Sequence, residues 1–391
     1  MPYKITLKKG EERRILAGHS WVYANEAAKT EGSGGNGSLA EVCAADGRFI
    51  GKGYVNHLSK ILVRIFLRGN EEDGETLWKE RIAAAYELRK KLFADQDTDC
   101  YRLFFAEADD LPALIIDKYG DYFVLQCLSL GVDRRKEWAV NALRALFSPK
   151  GIYMRGDVAV RQKEGLPLEN KTLFGEIPQK IIVRENGIRM SVDVRNGQKT
   201  GYFLDQKENR FAVRRYCKNA EVLDCFCNSG GFSLNAATVA KSVTALDISR
   251  FALENVEENA ALNGFTNVRT ECADVFEILR TYRSEGKTFD TVILDPPAFC
   301  KNAAEVKDAY RGYKDVNISA MKLIKRGGFL ITCSCSHYMT ATLFEKMLEE
   351  AARNCGKRAK ILEIRVQAPD HPALLAAEET SYLKVFILQI L

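Results

Sequence analysis

The spacing of apolar residues predicts strands in the first part of the chain. Residues 3–10, 39–55 and 59–67 alternate apolar and polar positions, and turns that contain glycine separate them. Within 59–67, Ile65 and Arg64 fall on opposite faces of the predicted strand. Short strands that follow one another in this way favour a small β-barrel.

A helix and further strands follow. Residues 75–93 predict an amphipathic helix, because apolar positions recur there at helical spacing. Those positions are Leu77, Ile82, Ala85, Leu88 and Leu92. Residues 113–120 and 121–130 predict two strands, 134–147 a helix and 151–165 an extended segment, so this part is expected to be α+β.

Beyond residue 176 strand and helix patterns alternate. The segment opens with a hairpin at 181–194, whose Asn186-Gly187 pair suits a type I′ turn. Strand runs are predicted at 222–224, 242–247, 267–274, 289–294 and 327–337, helical runs at 231–240, 248–264 and 343–355, and an edge pair of antiparallel strands at 361–367 and 381–391. This alternation is typical of an α/β domain around a parallel sheet. We therefore expect three domains, at 1–70, 71–175 and 176–391.

The turn between the first parallel strand and its helix is a candidate ligand site. After Asp224 the small loop from Cys227 to Gly231 leads directly into the helical run. Paired glycines allow backbone amides at a helix start to approach a ligand closely. The next strand ends on Asp247, roughly 20 residues on, where a carboxylate can reach two ribose hydroxyls. The pattern favours an adenosine compound, although Gly-Gly alone also fits an ordinary strand-to-helix turn.

The absence of phosphate-binding motifs indicates which adenosine compound would bind. The loop has Gly230 and Gly231 side by side and Phe232 next, so the G-x-G-x-x-G pattern that accommodates a pyrophosphate is absent. A P-loop lysine is absent too. S-adenosylmethionine carries ribose and adenine but no phosphate, so it fits better.

Composition limits the classes of protein. A chain of 391 residues suggests two or three domains, and it has no apolar run of ~18 residues that would span a membrane. The first residues lack the apolar segment of a signal peptide. Eleven cysteines, an odd number, then favour a reduced cytoplasm over a disulfide framework. With no C-x-x-C pair and only four histidines, no metal site is expected.

Charge is concentrated near the N-terminus. Residues 1–70 hold 11 Lys and Arg against 6 Asp and Glu, and this accounts for the net charge of +5 of the whole chain. A basic module of this kind is a reasonable footprint for a nucleic acid backbone. A solvated surface with chance asymmetry is the alternative.

Reactive side chains lie at the carboxyl ends of the predicted strands. Asp247, Asp274, Asp295 and Cys335 all fall at such ends, where ligands bind in open α/β sheets. A thiolate that adds to carbon 6 of a pyrimidine makes carbon 5 able to accept a methyl group. Cys335 and Asp295 are the candidates for the thiolate and for the acid that binds the edge of the base, with Cys333 and Cys300 as further cysteines that the pattern does not exclude.

Longer segments carry a family resemblance. These are HSWVYANE, GRFIGKGYVN, EADDLPALIIDKYGDYFVLQ, GQKTGYFLDQKENR, DCFCNSGGFSLNAA, DPPAF, RGYKDVN and TCSCS. With them the chain resembles the bacterial 23S ribosomal RNA cytosine-5 methyltransferase family over nearly all of its length. The resemblance implies an RNA-binding PUA domain, a middle domain and a Rossmann-like class I methyltransferase domain that uses S-adenosylmethionine. It also implies that Cys335, within Ser334-Cys335-Ser336, is the single catalytic cysteine.

Two departures from the family pattern bear on the substrate. Cys227-Asn228-Ser229 stands where the family usually has Ser-Tyr-Thr, and Ala298 stands before Phe299 where lysine is common. The modified nucleotide therefore stays open.

Together, pattern and resemblance give a set of expected site residues. The catalytic residues are Cys335, which attacks carbon 6, and Asp295, which holds the base. The cofactor-binding residues are Phe203, Gln206, Arg210, Asp224, Phe226, Cys227, Asn228, Ser229, Gly230, Asp247, Ile248, Asp274, Val275, Asp295 and Pro296. The substrate-binding residues are Lys199, Tyr202, Pro297 and Phe299. The base that removes the carbon 5 proton is not identified. Cys335 itself needs a lowered pKa or proton removal on substrate binding, and no histidine is assigned to this, since His337 is near only in sequence.

Two other functions remain open at this point. An amino-group methyltransferase acting on guanine or adenine in RNA would use the Asp-Pro-Pro-Ala-Phe loop and would need no cysteine. An RNA-binding or ribosome-assembly protein would have lost catalysis altogether. The expected partner is ribosomal RNA, without a membrane. The sequence decides neither between naked RNA and an assembling subunit nor between a monomer and a homodimer.

Overall fold

The computed structural model describes residues 3–94, 97–300 and 302–391. Its chain forms two compact units, which are described separately. The first unit comprises Met1–Arg184, Val192–Leu204 and Pro369–Thr380, and the second comprises Glu185–Ser191, Asp205–Ala368 and Ser381–Leu391. Residues 1, 2, 95 and 96 of the predicted first and middle domains lie outside the described residues.

The N-terminal part of the first unit is a six-stranded sheet. Its elements are β1 (Lys4–Leu7), α1 (Glu12–Leu16), β2 (Trp21–Tyr23), β3 (Ala27–Glu31), β4 (Leu39–Cys43), β5 (Phe49–Val55) and β6 (Ile61–Leu67). The strand order is β2-β6-β5-β4-β1-β3, with β1 parallel to β4 and antiparallel to β3. The strands predicted from alternation are present, whereas β2, β3 and α1 were not predicted.

Strand β6 differs from the expected alternation, because nearly all of it is buried. Arg64 was expected on the polar face, yet its side chain is buried. Its Nη2 donates to Glu164 Oε1 at 2.8 Å, and Asn56 Nδ2 donates to the other carboxylate oxygen at 2.9 Å. A buried charge needs such partners, and the sequence pattern of one strand cannot reveal a partner 100 residues away.

A five-stranded sheet follows in the first unit. Its elements are α2 (Glu75–Leu92), β7 (Cys100–Phe105), β8 (Leu114–Tyr119), β9 (Tyr122–Cys127), α3 (Leu130–Arg134), α4 (Lys136–Phe147), β10 (Gly151–Gly156), α5 (Val160–Lys163) and β11 (Glu169–Gly175), and the order is β11-β10-β9-β8-β7. The predicted hairpin of β8 and β9 and the predicted helix α4 are present. Strands β7 and β11 were missed. The prediction that 151–165 is extended is wrong beyond Gly156, because Val160–Lys163 is helical.

Helix α2 forms as predicted, but its buried face is shifted. Leu88 is 42% exposed, and the adjacent position Arg89 is fully buried instead. Its guanidinium donates to both carboxylate oxygens of Asp109, at 2.7 and 2.8 Å. The bidentate pair with Asp109 satisfies the buried charge of Arg89. Arg89 therefore lies on the buried face of the helix, where the apolar pattern predicted Leu88.

The hairpin predicted at 181–194 is present as β12 (Ile181–Glu185) and β13 (Ile188–Val192). Asn186 and Gly187 have φ of 52° and 79°. Positive φ at both central residues is what a type I′ turn requires, so this prediction is confirmed.

The second unit is built on a seven-stranded sheet. Its further strands are β14 (Glu221–Cys225), β15 (Ser242–Asp247), β16 (Val268–Cys272), β17 (Phe289–Leu294), β18 (Ile324–Ser334), β19 (Ala359–Arg365) and β20 (Lys384–Ile390). The order is β16-β15-β14-β17-β18-β20-β19. The first five of these strands pair in parallel, and β20 is antiparallel to both β18 and β19. The predicted antiparallel pair at the sheet edge is thus confirmed.

Helices cover both faces of this sheet. They are α6 (Lys207–Val213), α7 (Gly231–Ala237), α8 (Arg250–Leu262), α9 (Val275–Ser284), α10 (Val306–Leu323) and α11 (Ala341–Asn354). One apolar core lies between the sheet and α9, α10 and α11, and another lies beside α7. Helices α9 and α10 were not predicted. None of the helices among the described residues combines the length and hydropathy needed to cross a bilayer.

Candidate active site

The strand order of the second unit reverses at β14, which has β15 on one side and β17 on the other. Helix α7 connects β14 to β15 on one side of the reversal, and α9 connects β16 to β17, which lies on the other side of β14. In open α/β sheets the reversal leaves a crevice at the carboxyl ends of the strands. The turn after β14, Asp247 at the end of β15 and Asp295 just beyond β17 all lie at these ends.

The turn after β14 has an unusual backbone. Phe226, Asn228 and Gly230 have φ of 61°, 49° and 86°, so three of five consecutive residues are left-handed. A Cβ added to Gly230 would lie 3.2 Å from the side chain of Val256 on α8, so the valine would have to move by a few tenths of an ångström to admit a larger residue. The sequence therefore needs glycine here for both conformation and packing.

Asp247 is held by this turn. Its Oδ2 accepts the backbone N–H of Asn228 at 3.0 Å, and its Oδ1 accepts that of Ser249 at 2.9 Å. The Asn228 side chain in turn accepts the N–H of Ser229 at 2.8 Å. A carboxylate oxygen can accept more than one hydrogen bond, so Asp247 keeps acceptor capacity for hydroxyl groups of a ligand.

Asp224 provides the strongest sign of a ligand in the second unit. It is fully buried at the end of β14, and its Oδ2 accepts the Ser233 hydroxyl at 2.6 Å. Its Oδ1 has no hydrogen-bond partner among the described residues. Burial, together with the charges of Asp295 and Asp247, raises the pKa of the carboxyl to about 7. An unsatisfied acceptor calls for an explanation, and a cationic amino group such as that of S-adenosylmethionine fits it.

The other predicted cofactor residues near these strand ends differ in exposure. Ile248 is 69% exposed directly after Asp247, whereas Val275 is buried in the apolar core. Asp274 caps helix α9 by accepting the Glu277 N–H at 3.1 Å. Cys227 is buried, and burial holds the pKa of its thiol well above the ordinary value. Ile248 offers the apolar surface on which an adenine ring could lie.

Asp295 is held from one side by amide groups. Gln206 Nε2 donates to Asp295 Oδ1 at 3.0 Å, and Asn209 Nδ2 donates to Gln206 Oε1 at 2.7 Å. Arg365 Nε donates to Asn209 Oδ1 at 3.0 Å. Because each amide oxygen is already used as an acceptor, Gln206 must present its NH₂ group to Asp295. The series fixes the orientation of the Asp295 carboxyl.

Arg210, also predicted for the cofactor, forms a buried ion pair. Its Nε and Nη2 donate to the two oxygens of Glu185, both at 2.7 Å. Both side chains are almost fully buried. The contacts of Arg210 are those of a structural pair, and its role in cofactor binding stays a prediction.

The loop after Asp295 leads to the neighbouring strand end. Pro296 is buried and Pro297 exposed, and the Phe299 ring packs against Tyr313 of α10 with 4.6 Å between centroids. The backbone N–H of Cys300 donates to Ser336 Oγ at 3.3 Å. The Asp-Pro-Pro-Ala-Phe loop is thus attached to the segment that carries Cys335.

Cys335 lies one residue beyond β18 and is partly exposed. The register that pairs Leu294 with Thr332 places Asp295 level with Cys333, two residues before Cys335. Of the other candidate cysteines, Cys333 is fully buried, burial holds the pKa of its thiol well above the ordinary value, and Cys300 is 3% exposed. Cys335 is therefore the most accessible of the three.

The serines on either side of Cys335 share one partner. Ser334 Oγ donates to Tyr313 Oη at 3.1 Å, and Tyr313 Oη also lies 3.0 Å from Ser336 Oγ. Tyr313 was not predicted as a site residue. It falls in the segment RGYKDVN, which carried the family resemblance but no assigned role.

Lys384 is a second residue that sequence reasoning missed. Its Nζ donates to the carbonyl oxygens of Ser336 at 2.6 Å and Tyr382 at 2.8 Å. A lysine at the start of the apolar run 381–391 was the available signal.

Three predicted residues belong to the first unit. Lys199 has φ of 53°, and its Nζ lies 4.6 Å from the centroid of the Phe203 ring. Tyr202 is buried. Their predicted roles in binding stay predictions.

Comparisons with known proteins agree with this geometry. The PUA-like domain family matches residues 5–68, and the S-adenosylmethionine-dependent methyltransferase family matches residues 141–386. The chain is 42% identical to ribosomal RNA large subunit methyltransferase I of Shewanella amazonensis, with 100% of both chains covered. It is 41% identical to the protein of the same name from Aeromonas salmonicida, with 98% of each covered.

Solved structures share the fold. A SAM-dependent methyltransferase from Streptococcus mutans has a TM-score of 0.83 at 22% identity, with 100% of both chains covered. A methyltransferase solved in complex with SAH has a TM-score of 0.85 at 22% identity over the same coverage. These likenesses extend over the whole chain and show that the fold is that of such methyltransferases.

Proposed function

Because the chain belongs to the ribosomal RNA large subunit methyltransferase I family of S-adenosylmethionine-dependent enzymes, we propose that it forms 5-methylcytosine in 23S ribosomal RNA through a covalent adduct of Cys335. The observation that carries the proposal is the position of Cys335. It is partly exposed just beyond β18, while Cys333 and Cys300 are buried. Accessibility is a requirement for a nucleophilic cysteine.

The cofactor would be held by the turn after β14 and by the neighbouring strand ends. Asp247 would accept the two ribose hydroxyls, and Asp224 Oδ1 would accept the amino group. Ile248 would cover the adenine ring, and Asp274 would accept its exocyclic amine. The support is the remaining acceptor capacity of both carboxylates and the exposure of Ile248 beside them. The remaining members of the set, Phe203, Gln206, Arg210, Phe226, Cys227, Asn228, Ser229, Gly230, Val275 and Pro296, would complete the walls.

The chain's own residues then perform the chemistry. The bound cofactor supplies a methyl group on a positively charged sulfur. Cys335, as a thiolate, adds to carbon 6 of the cytosine and makes carbon 5 nucleophilic. Asp295, whose orientation Gln206 fixes, accepts the amine of the cytosine. Carbon 5 then takes the methyl group. A base that the sequence does not identify accepts the carbon 5 proton, the bond between carbon 6 and sulfur breaks, and Cys335 is released as a thiolate.

RNA would be bound in two stages. The basic residues of 1–70 attract the phosphate backbone, since they exceed the acidic residues there by 11 to 6. The target cytosine must then leave its stack to reach the strand ends. Pro297 and Phe299 would contact the extruded nucleotide, and the binding roles of Lys199 and Tyr202 stay predictions from the sequence. The domains 1–70, 71–175 and 176–391 would correspond to RNA capture, connection and catalysis.

The test compares two cysteine variants on ribosomal RNA from cells that lack this protein. C335A should abolish methyl transfer, and mass mapping of the wild-type product should identify 5-methylcytosine. C355A is the matched control, because Cys355 is also partly buried in the second unit but lies at the end of α11. It should keep the wild-type rate. Methylation by C335A would overturn the proposal.

An amino-group methyltransferase is the second candidate. The observation that favours it is the fixed Asp295 carboxyl next to two prolines, which could hold an amine without a covalent step. Retained activity of C335A together with a product methylated on nitrogen would support this function. Absence of cofactor binding in calorimetry would instead favour an inactive RNA-binding protein.

A further inference from the structure

Lys384 contacts the chain on both sides of the proposed nucleophile. On β20 it pairs with Ser334, the residue before Cys335. Its Nζ donates to the carbonyl oxygen of Ser336, the residue after Cys335, at 2.6 Å. A second bond, to the Tyr382 carbonyl at 2.8 Å, fixes the ammonium group from its own strand. The lysine thus holds the strand end on which Cys335 stands.

The ammonium group is buried without a counter-ion. Lys384 is 8% exposed, and no carboxylate of residues 3–94, 97–300 or 302–391 lies within ion-pair distance of its Nζ. Its two hydrogen bonds use two of three N–H donors. Burial lowers the pKa of Lys384 to about 8, and the charge of Cys335 acts in the opposite direction. A buried cation is normally paired, so an anion is to be expected beside it.

Tyr313, Cys333 and Asp295, which lie near Cys335, do not provide a cation. Burial raises the pKa of Tyr313, on α10, and that of Cys333, on the same strand, so both are neutral at pH 7. The charge of Cys335 raises both values further. Asp295, at the neighbouring strand end, is an acid that opposes a second negative charge. Lys384, unlike these three groups, carries a positive charge that can stabilise an anionic sulfur.

We propose that the Lys384 ammonium keeps the Cys335 sulfur in its thiolate form and fixes the strand end that carries it. Lys384 is then a positioning residue for the nucleophile, and this role rests on the cysteine mechanism proposed above. The thiol proton passes to water, and the electron pair left on sulfur forms the bond to carbon 6 of the pyrimidine. The positive charge of Lys384, which contacts the residue after Cys335, takes the place of a general base in this step.

The test measures the ionisation of Cys335 in the full-length protein without cofactor or RNA. Iodoacetamide labelling is followed from pH 6 to 10, and tandem mass spectrometry assigns the label to Cys335 rather than to Cys333. In K384M the midpoint of labelling should shift upward by about one pH unit or more, which is about a tenfold loss of rate at pH 7. K384R keeps a positive charge and should restore the midpoint toward the wild-type value.

A matched control separates charge from general damage. Lys357 is a half-buried lysine of the second unit. Its Nζ, like that of Lys384, donates to a main-chain carbonyl, that of Ile324 at 2.6 Å, at the opposite end of β18. K357M should leave the labelling midpoint of Cys335 unchanged. Circular dichroism spectra and unfolding temperatures establish that each variant is folded.

The outcomes are distinct. A Cys335 midpoint in folded K384M equal to that of the wild type would overturn the proposal, as would a shift of the same size in K357M. Methyl transfer provides a second readout: K384M should regain rate as pH rises toward 9, because more thiol ionises unaided. Should C335A retain methylation, the cysteine mechanism fails, whereas the labelling experiment still reports whether Lys384 controls the thiol.

Discussion

Gln206 donates its side-chain N–H to Asp295 across 3.0 Å, and it has only one orientation in which to do so. Asn209 occupies its amide oxygen at 2.7 Å, so the NH₂ group must face the carboxylate. Asp295 is thereby turned with one oxygen toward Gln206, and this contact fixes how the carboxyl faces the crevice at the strand ends. Gln206 thus determines the orientation of Asp295, the acid proposed to bind the base.

Replacing Gln206 by leucine should therefore slow methyl transfer. Loss of a hydrogen bond to a charged group amounts to roughly 1.5–3 kcal/mol, which corresponds to about a 10- to 100-fold lower kcat. Steady-state kinetics on ribosomal RNA provide the measurement. Q389L is the control, since Gln389 donates to the Gly327 carbonyl at 3.2 Å near the far end of the sheet. Equal rates for Q206L and the wild type would show that the orientation of Asp295 is not important for catalysis.

Gly230 and Gly264 allow strain and site geometry to be separated. Both have positive φ, 86° and 70°, but an added Cβ meets Val256 only at Gly230, while at Gly264 nothing lies within 4 Å. G264A should destabilise the protein by about 1 kcal/mol through backbone strain alone. G230A should destabilise it more and should weaken cofactor binding. Urea unfolding and calorimetry measure the two effects, and equal affinities in both variants would contradict a role of this turn in binding.

Much of this architecture was predictable because its signals are local. The Asn186-Gly187 turn and the strand-turn-helix around Gly230 depend on residues that are adjacent in sequence, and the structure contains both. Charged residues with distant partners were not predictable. Arg89 replaces Leu88 on the buried face of α2 because Asp109 lies across from it, a contact that no periodicity encodes.

The same reason explains what was missed at the site. Helix α10 carries its buried residues at helical spacing, but many Lys, Asp and Arg residues between them obscured the pattern. Tyr313 becomes important only when α10 packs so that its hydroxyl reaches Ser334 and Ser336. Lys384 likewise comes near Cys335 only because β20 pairs with β18. Its partner in that pairing, Ser334, is 50 residues earlier in the chain.

Asp224 predicts a pH dependence of stability. Its pKa is raised to about 7 in the folded chain, against about 3.9 for an unfolded aspartate. Between these values the folded state binds the additional proton, so the free energy of unfolding should fall as pH rises from about 4 to 7, by up to ~1.4 kcal/mol per unit. Above pH 7 this contribution should be constant. Urea unfolding of wild type and D224N over this range is the measurement, and D224N should lack this component of the slope.

The same carboxyl predicts how cofactor binding responds to pH. An amino group is held by the ionised form of Asp224, so the affinity for S-adenosylmethionine should rise as pH increases through about 7. Calorimetry at pH 6 and 8 tests this. In D224N the affinity should be lower and should lose that rise. An unchanged pH profile in D224N would mean that the unsatisfied oxygen of Asp224 does not face the ligand.

Tyr313 offers a test of whether the strand end beyond β18 must be rigid for catalysis. Y313F removes only the hydroxyl that contacts Ser334 and Ser336 at 3.1 and 3.0 Å, and the ring contact with Phe299 remains. Two lost hydrogen bonds should lower the free energy of unfolding by about 1–3 kcal/mol.

Because the serines flank Cys335, a looser strand end should also misplace its sulfur, and kcat should fall by about tenfold or more while KM changes little. Y282F is the matched control: Tyr282 is equally buried, and its hydroxyl bonds Glu271 on β16, away from Cys335. It should lose stability and keep its rate. If both variants lose rate in proportion to stability, the tyrosine only supports the fold; if Y313F alone loses kcat, the rigidity of the Cys335 segment is a requirement of the reaction.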